Sequence, residues 1–336
     1  MRPDHVPVCP GCRTLTGDRL DVRTVHRAGD TLVCSCGRRY PIVDGVPIVL
    51  ADATAYLRDD VAAVVERDLA PDVAALLAAG GPDDAPYPRM LEHLSTYLDA
   101  HWGDHATPPP DGPGAGPGGL AFPALVERIA ERAGHPVQLA VELGCSVGRI
   151  VAELAPGAGH VVGLDLHFGA VRRARRLLAG EPLAYPRRLT GRRYAPAITS
   201  AGPRAVSPDR VTLLCADALD PPLVPGFYDR VVAVNVLDSV RSPRQLLSVV
   251  DGLCAPGGEI ILTSPYAWLS SVMPDDERLG GDDPAATLAT LLREGTNLRA
   301  RYTIEDEAQL PWTLRRDGRS AATYCIHYIR ARKMGP

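Results

Sequence analysis

Five short apolar runs, at 138–143, 161–165, 211–215, 228–235 and 259–264, are nearly continuous in Val, Ile, Leu and Ala. Such runs fit strands buried on both faces of a sheet. Helical spacing separates them: 150–154; 166–178 through Val171, Ala174, Leu177 and Leu178; and a segment opened by Ser242-Pro243 through Leu246, Leu247, Val250 and Leu253. The alternation predicts an α/β domain with a largely parallel sheet. Upstream, Val61, Val64, Val65, Leu69, Val73, Leu76 and Leu77 predict one or two amphipathic helices interrupted near Pro71, and a further helix runs from 87 or 88 to about 101. Leu125, Val126 and Ile129 mark another at 122–133, ended by Gly134, and the Pro/Gly-rich stretch 107–119 predicts an extended or flexible loop. Beyond the fifth run, a helix at 282–294 precedes strands at 312–316 and 322–329, separated by Asp317-Gly318-Arg319. The expected domains are 1–50, a helical cap and linker at 51–119, and the main domain at 120–336, with 185–208 inserted between its second and third strands.

The first run ends in Glu142-Leu143-Gly144-Cys145-Ser146-Val147-Gly148 and leads into a helix. Strand, glycine turn and helix start together place backbone N–H groups beneath a ligand. The spacing is neither the dinucleotide G-x-G-x-x-G nor a phosphate loop with its Lys-Ser/Thr. Asp165 closes the second run, where a carboxylate can hold a ribose diol. This block resembles the first two motifs of the class I S-adenosylmethionine-dependent methyltransferases. The 242–264 segment, with its Pro256-Gly257-Gly258 turn, resembles the same pattern. The resemblance implies a Rossmann-like, seven-stranded mixed sheet whose last strand is antiparallel. It also implies S-adenosyl-L-methionine as cofactor, held by Glu142, Gly144, Cys145, Gly148, Asp165, Leu166, Asp217, Ala218 and Asn235, with Asp217 on the adenine amino group.

Cysteine placement adds a second module. Cys9 and Cys12 are separated by 21 intervening residues from Cys34 and Cys36, while Cys145, Cys215, Cys254 and Cys325 are scattered. Two close pairs on turns can surround a zinc ion tetrahedrally, and a segment this small needs such a staple. With Tyr40-Pro41-Ile42-Val43-Asp44-Gly45-Val46-Pro47-Ile48, residues 9–50 resemble the Trm112-like zinc ribbons, apart from a C-x-C second pair. Four thiolates close the coordination sphere, so the zinc is expected to be structural. The formal net charge of -4 gives no global basic field for nucleic acid. No apolar run reaches membrane-spanning length and residues 1–5 carry no signal-peptide core, so a cytoplasmic location is expected. Arg172, Arg173, Arg175 and Arg176 are expected on a solvated helix face.

Acceptor candidates cluster at the later strand ends. Asn235-Val236-Leu237-Asp238 resembles the Asn-x-x-Asp segment of protein-histidine and carnosine-type N-methyltransferases, in which the polar pair orients an imidazole. Asn235, Asp238 and Tyr266 are the expected catalytic residues. Tyr97, His101, His167, Tyr185, Arg187, Trp268 and Tyr324 are candidates for binding the acceptor, and Glu305, Asp306 and Glu307, before the last strands, are expected either to face a cationic acceptor or to lie in a solvated turn. His327 and Tyr328 also fall in this neighbourhood. The expected enzyme methylates a small-molecule or peptide nitrogen, amine or imidazole, by direct displacement. An RNA or translation-associated methyltransferase, or aminocarboxypropyl displacement from the same cofactor, are the alternatives. The segment's difference from Asn-Pro-Pro-Tyr counts against nucleic acid.

Overall fold

A computed structural model describes residues 6–16, 19–80, 82, 85–108, 119–280 and 282–335. Residues 1–5 and most of the expected 107–119 loop lie outside them. The main sheet contains β1 (Val137–Leu143), β2 (Ala158–Asp165), β3 (Val211–Cys215), β4 (Tyr228–Val234), β5 (Cys254–Ser264), β6 (Tyr302–Arg315) and β7 (Ala321–Lys333). Their order is β3-β2-β1-β4-β5-β7-β6, with β1 to β5 parallel and β7 antiparallel to both neighbours. Strand order reverses between β1 and β4, and a crevice opens there at the carboxyl ends.

Helices precede and sandwich this sheet. In chain order they are α1 (Ala53–Asp59), α2 (Val61–Val65), α3 (Pro71–Ala79), α4 (Pro86–Trp102), α5 (Pro123–Glu131), α6 (Arg149–Leu154), α7 (Phe168–Leu178), α8 (Pro243–Leu253) and α9 (Pro284–Glu294). Leu125, Ile150, Val151 and Leu177 of α5–α7 share a core with Ala140, Val161 and Val232. Leu246, Val250 and Leu288 of α8 and α9 pack with Val141, Val162 and Val231 on the opposite face. Neighbouring residues of one strand therefore serve different layers, as a period of two requires. No helix among the described residues is long and apolar enough to cross a membrane.

Three expectations need correction. Strand β6 begins at Tyr302, so Glu305, Asp306 and Glu307 are strand residues and not a turn. Its burial alternates because it is the outer edge, which made its first half read as polar. Glu305 pairs with Arg330 and Arg332, Asp306 with Arg128, and Glu307 with His327. The 185–208 insertion begins with a hairpin, Leu183–Thr190 against Arg193–Thr199. Tyr185 and Arg187 are buried in it, both bonded to Asp99 of α4, so they support the cap instead of facing a ligand. The expected solvated arginine face is also largely occupied: Arg172 and Arg173 are buried against Glu66 and Asp68, and Arg176 reaches Asp68.

The cysteine-bearing segment forms an antiparallel sheet from Val25–Ala28, Thr31–Cys34, Arg39–Val43 and Val46–Pro47. Asp44 and Gly45 both have positive φ, 47° and 77°, as a two-residue type I′ hairpin requires. Beyond it, Val49 N donates to Cys215 O at 2.9 Å, and Ile48 forms a parallel bridge with Cys215. The segment thereby covers the free edge of β3.

Helix α4 is fastened to the loop after β1. Trp102 Nε1 donates to Val147 O at 2.9 Å. The fully buried Arg149 donates to His101 O at 2.8 Å, Asp104 Oδ1 at 2.7 Å and Glu153 Oε1 at 2.8 Å. Removing one member of a buried ion network strands the other charges. Arg149→Met is therefore expected to destabilise the protein by roughly 3 kcal/mol in urea unfolding. A loss below about 0.5 kcal/mol would contradict the clasp.

Candidate active site

The carboxyl ends of β1, β2 and β4 and the segment after β5 surround a cleft of about 540 Å³. Its floor is the loop after β1. Gly144 has φ +77°, and a Cβ there would stand 2.5 Å from Val236 Cγ2; Gly148 has φ +82°, with its Cβ position 3.0 Å from Ala174 Cβ. Both positions therefore exclude side chains on two grounds. The loop spends many of its amides on itself: Gly144 and Cys145 donate to Leu164 O, Ser146 to Asp165 Oδ2, and Gly148 to Cys145 O. Holding shape, more than donating to an anion, is what these groups do.

Four carboxylates line the cleft, Glu142, Asp165, Asp217 and Asp238, and the lining includes no arginine or lysine among the described residues. Burial, followed by the charge of Asp165, pushes the Glu142 carboxyl well above its ordinary range. Burial also raises Asp165, against the backbone N–H groups of His167 and Ser146 that stabilise its charge, and it raises Asp238. Glu142 Oε2, Asp238 Oδ1 and His101 Nδ1 are buried without a hydrogen-bond partner among the described residues. Buried oxygens of this kind can accept from water or from a donor-bearing ligand.

Asn235 follows β4 with φ +54°. Its Oδ1 accepts from Thr263 Oγ1 at 2.8 Å, leaving the amide NH₂ as its donor group. Asp238 Oδ2 accepts from Ala267 N at 3.0 Å, while the buried Oδ1 has no partner among the described residues. Opposite them stand Tyr97 and His101 of α4, together with Trp312, Leu314 and Tyr324 from the β6–β7 pair. Burial lowers His93 to about 4 and His101 to about 3, so both rings are neutral at neutral pH.

Of the residues singled out from sequence, the cleft brings together Glu142, Gly144, Asp165, Leu166, Asp217, Ala218, Asn235, Asp238, Tyr97, His101, His167 and Tyr324. Cys145 and Gly148 stand behind its wall as backbone supports. Tyr266 and Trp268 pack against each other outside the lining, and Tyr266 Oη bonds His327 Nδ1 at 2.8 Å. Neither the catalytic role expected of Tyr266 nor the acceptor contact expected of Trp268 has a place in the lining, whose aromatic side chains include Tyr97, Trp312 and Tyr324. Sequence reasoning missed His93, Ser146 and Trp312 as lining residues. The spacing His93, Tyr97, His101 on one helix face was the available signal for the first.

The cleft suits S-adenosylmethionine, the cofactor implied by the motifs. Asp165 retains lone pairs for a ribose diol beyond its two backbone bonds, and Glu142, whose Oε2 has no partner among the described residues, can receive an ammonium group. The four cysteine sulfurs lie within 4.8 Å of one another. Cys9–Cys36 and Cys12–Cys34 are 3.9 and 3.7 Å apart, close to the ~3.8 Å edge of a tetrahedron with Zn–S bonds of about 2.3 Å. The four thus fit a structural metal. The Arg38 backbone N–H, followed by the Cys12 thiol, lowers Cys36 to about 6, so a thiolate is already favoured.

Two outcomes follow. Because Glu142 is raised, its contribution to ligand-free stability is present at acid pH and lost as pH rises through the folded-state value. Glu142→Gln is expected to stabilise the ligand-free protein by about 1–2 kcal/mol near pH 7.5, with the gain vanishing near pH 4.5 in urea unfolding. A gain independent of pH would contradict this origin. Protein purified without chelator should contain stoichiometric zinc by elemental analysis, and Cys12→Ser should lose it with a fall in Tm of roughly 5 °C; zinc-free parent protein of unchanged stability would contradict the metal centre.

Residues 141–262, about a third of the chain, match the family model described as a methyltransferase domain. No curated protein matches the chain. Among solved structures, N-methyltransferase NodS from Bradyrhizobium japonicum WM9 with S-adenosyl-L-homocysteine is 15% identical, covering 72% of this chain and 96% of that one at a TM-score of 0.42. Magnesium protoporphyrin IX methyltransferase from Synechocystis PCC 6803 is 16% identical, covering 62% and 76% at a TM-score of 0.39. The [4+2]-cyclase SpnF is 12% identical, covering 73% and 97% at a TM-score of 0.42. The strand order, the loop after β1 and the matched segment together give a class I methyltransferase-like α/β fold with a seven-stranded mixed sheet.

Proposed function

We propose that the protein transfers a methyl group from S-adenosylmethionine to a nitrogen, amine or imidazole, of a small-molecule or peptide acceptor. The carboxylate-only charge lining carries this reading: the cleft favours cationic groups and N–H donors, and offers no guanidinium or ammonium to a phosphate. Bound S-adenosylmethionine supplies an electrophilic methyl group on a sulfonium centre. Asp165 and Asp217 hold the ribose and adenine, and Glu142 receives the methionine ammonium. Asp238 accepts the acceptor's N–H through Oδ1, aims the nitrogen lone pair and takes up the proton released on transfer. The Asn235 amide donates, since its oxygen is held by Thr263. Tyr97, Trp312 and Tyr324 exclude water around the reacting atoms. Positioning and electrostatics suffice for such a displacement without a covalent enzyme intermediate. The cysteine ribbon serves as a structural zinc module on the edge of β3.

The reading separates two sets of residues by calorimetry and mass measurement. Asp165→Ala should weaken S-adenosylhomocysteine binding by about 10- to 100-fold. Asp238→Asn should keep that affinity within about threefold and lower turnover by roughly 10²-fold or more. A panel of amines and imidazoles should yield a product heavier by about 14 Da, the methyl-for-hydrogen increment of such a transfer. Cofactor breakdown without this increment would favour aminocarboxypropyl chemistry, and methylated RNA as the sole product would favour the nucleic-acid alternative.

A further inference from the structure

One face of α4 borders two spaces. Its C-terminal half, with Tyr97 and His101, walls the active-site cleft. Its N-terminal half, through Pro86, Arg89, Met90 and Leu94, roofs a second chamber of about 550 Å³. These residues recur at three- and four-residue intervals and so share a face. Val147 after β1 and Arg173 of α7 complete the far walls. The spaces share His93, Tyr97, Ser146, His167 and Ala170 and therefore adjoin beneath α4.

The chemistry reverses across that shared boundary. Among the described residues, the chamber lining has no carboxylate, whereas the cleft has four and no cationic side chain. Arg173 is already neutralised, with Nη2 at 2.8 Å from Glu66 Oε1 and 2.6 Å from Asp68 Oδ1. Arg89 is exposed at the rim. Met90, Leu94 and Val147 give the interior an apolar character. Its volume falls within the range of small-molecule sites. The carboxylates suited to the cofactor's diol and ammonium lie in the cleft, so the chamber offers S-adenosylmethionine no corresponding seat.

We infer that this chamber binds the body of the acceptor: an amphiphilic nitrogen compound whose nitrogen end reaches Asp238, whose apolar or aromatic body rests on Met90, Leu94 and Val147, and whose far end carries negative charge toward Arg89. The inference rests on the methyl-transfer reading for the identity of the reacting end. Its charge pattern sets a specificity that the cofactor motifs do not contain. Acceptors with a cationic far end are disfavoured at Arg89, and purely polar ones forgo the apolar surface.

The probe is 1-anilinonaphthalene-8-sulfonate, an aromatic body with an anionic group, titrated by fluorescence into the full chain with and without S-adenosylhomocysteine. Leu94→Trp fills the chamber and should weaken probe binding at least about tenfold, while S-adenosylhomocysteine affinity changes less than about threefold. Met90→Trp provides a second filling variant should Leu94→Trp fail to fold, as judged by circular dichroism. Arg89→Ala should weaken the sulfonate probe about three- to fivefold and leave uncharged N-phenyl-1-naphthylamine unchanged. Exposed Val65 and Leu76 give a probe background that none of these substitutions touches. Probe binding unaltered by a folded filling variant would overturn the assignment. So would a parallel loss of S-adenosylhomocysteine affinity, which would make the chamber part of the cofactor site. If the parent does not bind S-adenosylhomocysteine, the methyl-transfer reading falls, and the probe comparison still decides whether the chamber binds an amphiphile.

Discussion

The fully buried guanidinium of Arg149 ties the cap to the catalytic sheet. It lies between Asp104, Glu153 and the carbonyl of His101, and stacks over Trp102 at 5.2 Å. Trp102 in turn bonds the loop after β1. A buried charge keeps its partners close, because separation leaves it desolvated and unpaired. The C-terminal end of α4 therefore moves with the loop, and His101 keeps a fixed relation to the cofactor cleft. Asp99, held by Tyr185 and Arg187, extends the same attachment to the inserted hairpin. The basic-looking insertion spends its charge on stability.

Within this frame, the cleft is costly when empty. Glu142, Asp165 and Asp238 lie near one another with raised carboxyl groups, and two of their oxygens are unpartnered. Ser146, Asn235 and Tyr266 adopt positive φ at the ends of β1, β4 and β5, a backbone state with a conformational cost for side-chain-bearing residues. Their placement beside the crevice ties that cost to ligand geometry. A ligand carrying positive charge or N–H donors would relieve the charge and satisfy these oxygens together. Fold stability and binding are thus opposed at Glu142.

Much of the sheet was legible because parallel strands are buried on both faces and appear as continuous apolar runs. Several residues that line the cleft, among them Glu142 and Asp165, followed from the ends of the same runs. The outer strand β6 was half hidden, since an edge strand alternates and Glu305 to Glu307 look like a turn. Pairing across long sequence distances was also hidden: nothing local marks Arg187 as the partner of Asp99, or Glu66 and Asp68 as partners of the α7 arginines. Tyr266 and Trp268 were placed correctly at a strand end, yet the backbone turn there directs the aromatic wall elsewhere. Asn235 lies at the cleft as expected, but the bond from Thr263 already occupies one lone pair of its amide oxygen. Such roles depend on which oxygen a neighbour has already claimed, and only three-dimensional contacts reveal that.

A cleft lined by four carboxylates and, among the described residues, by no arginine or lysine should favour a ligand that carries positive charge. Calorimetric comparison of S-adenosylhomocysteine, whose thioether is neutral, with an aza-analogue of S-adenosylmethionine carrying a protonated tertiary amine isolates that charge. The account predicts that the cationic analogue binds about tenfold more tightly near neutral pH, with the advantage shrinking as salt rises. Equal affinities, or tighter binding of the neutral thioether, would contradict it.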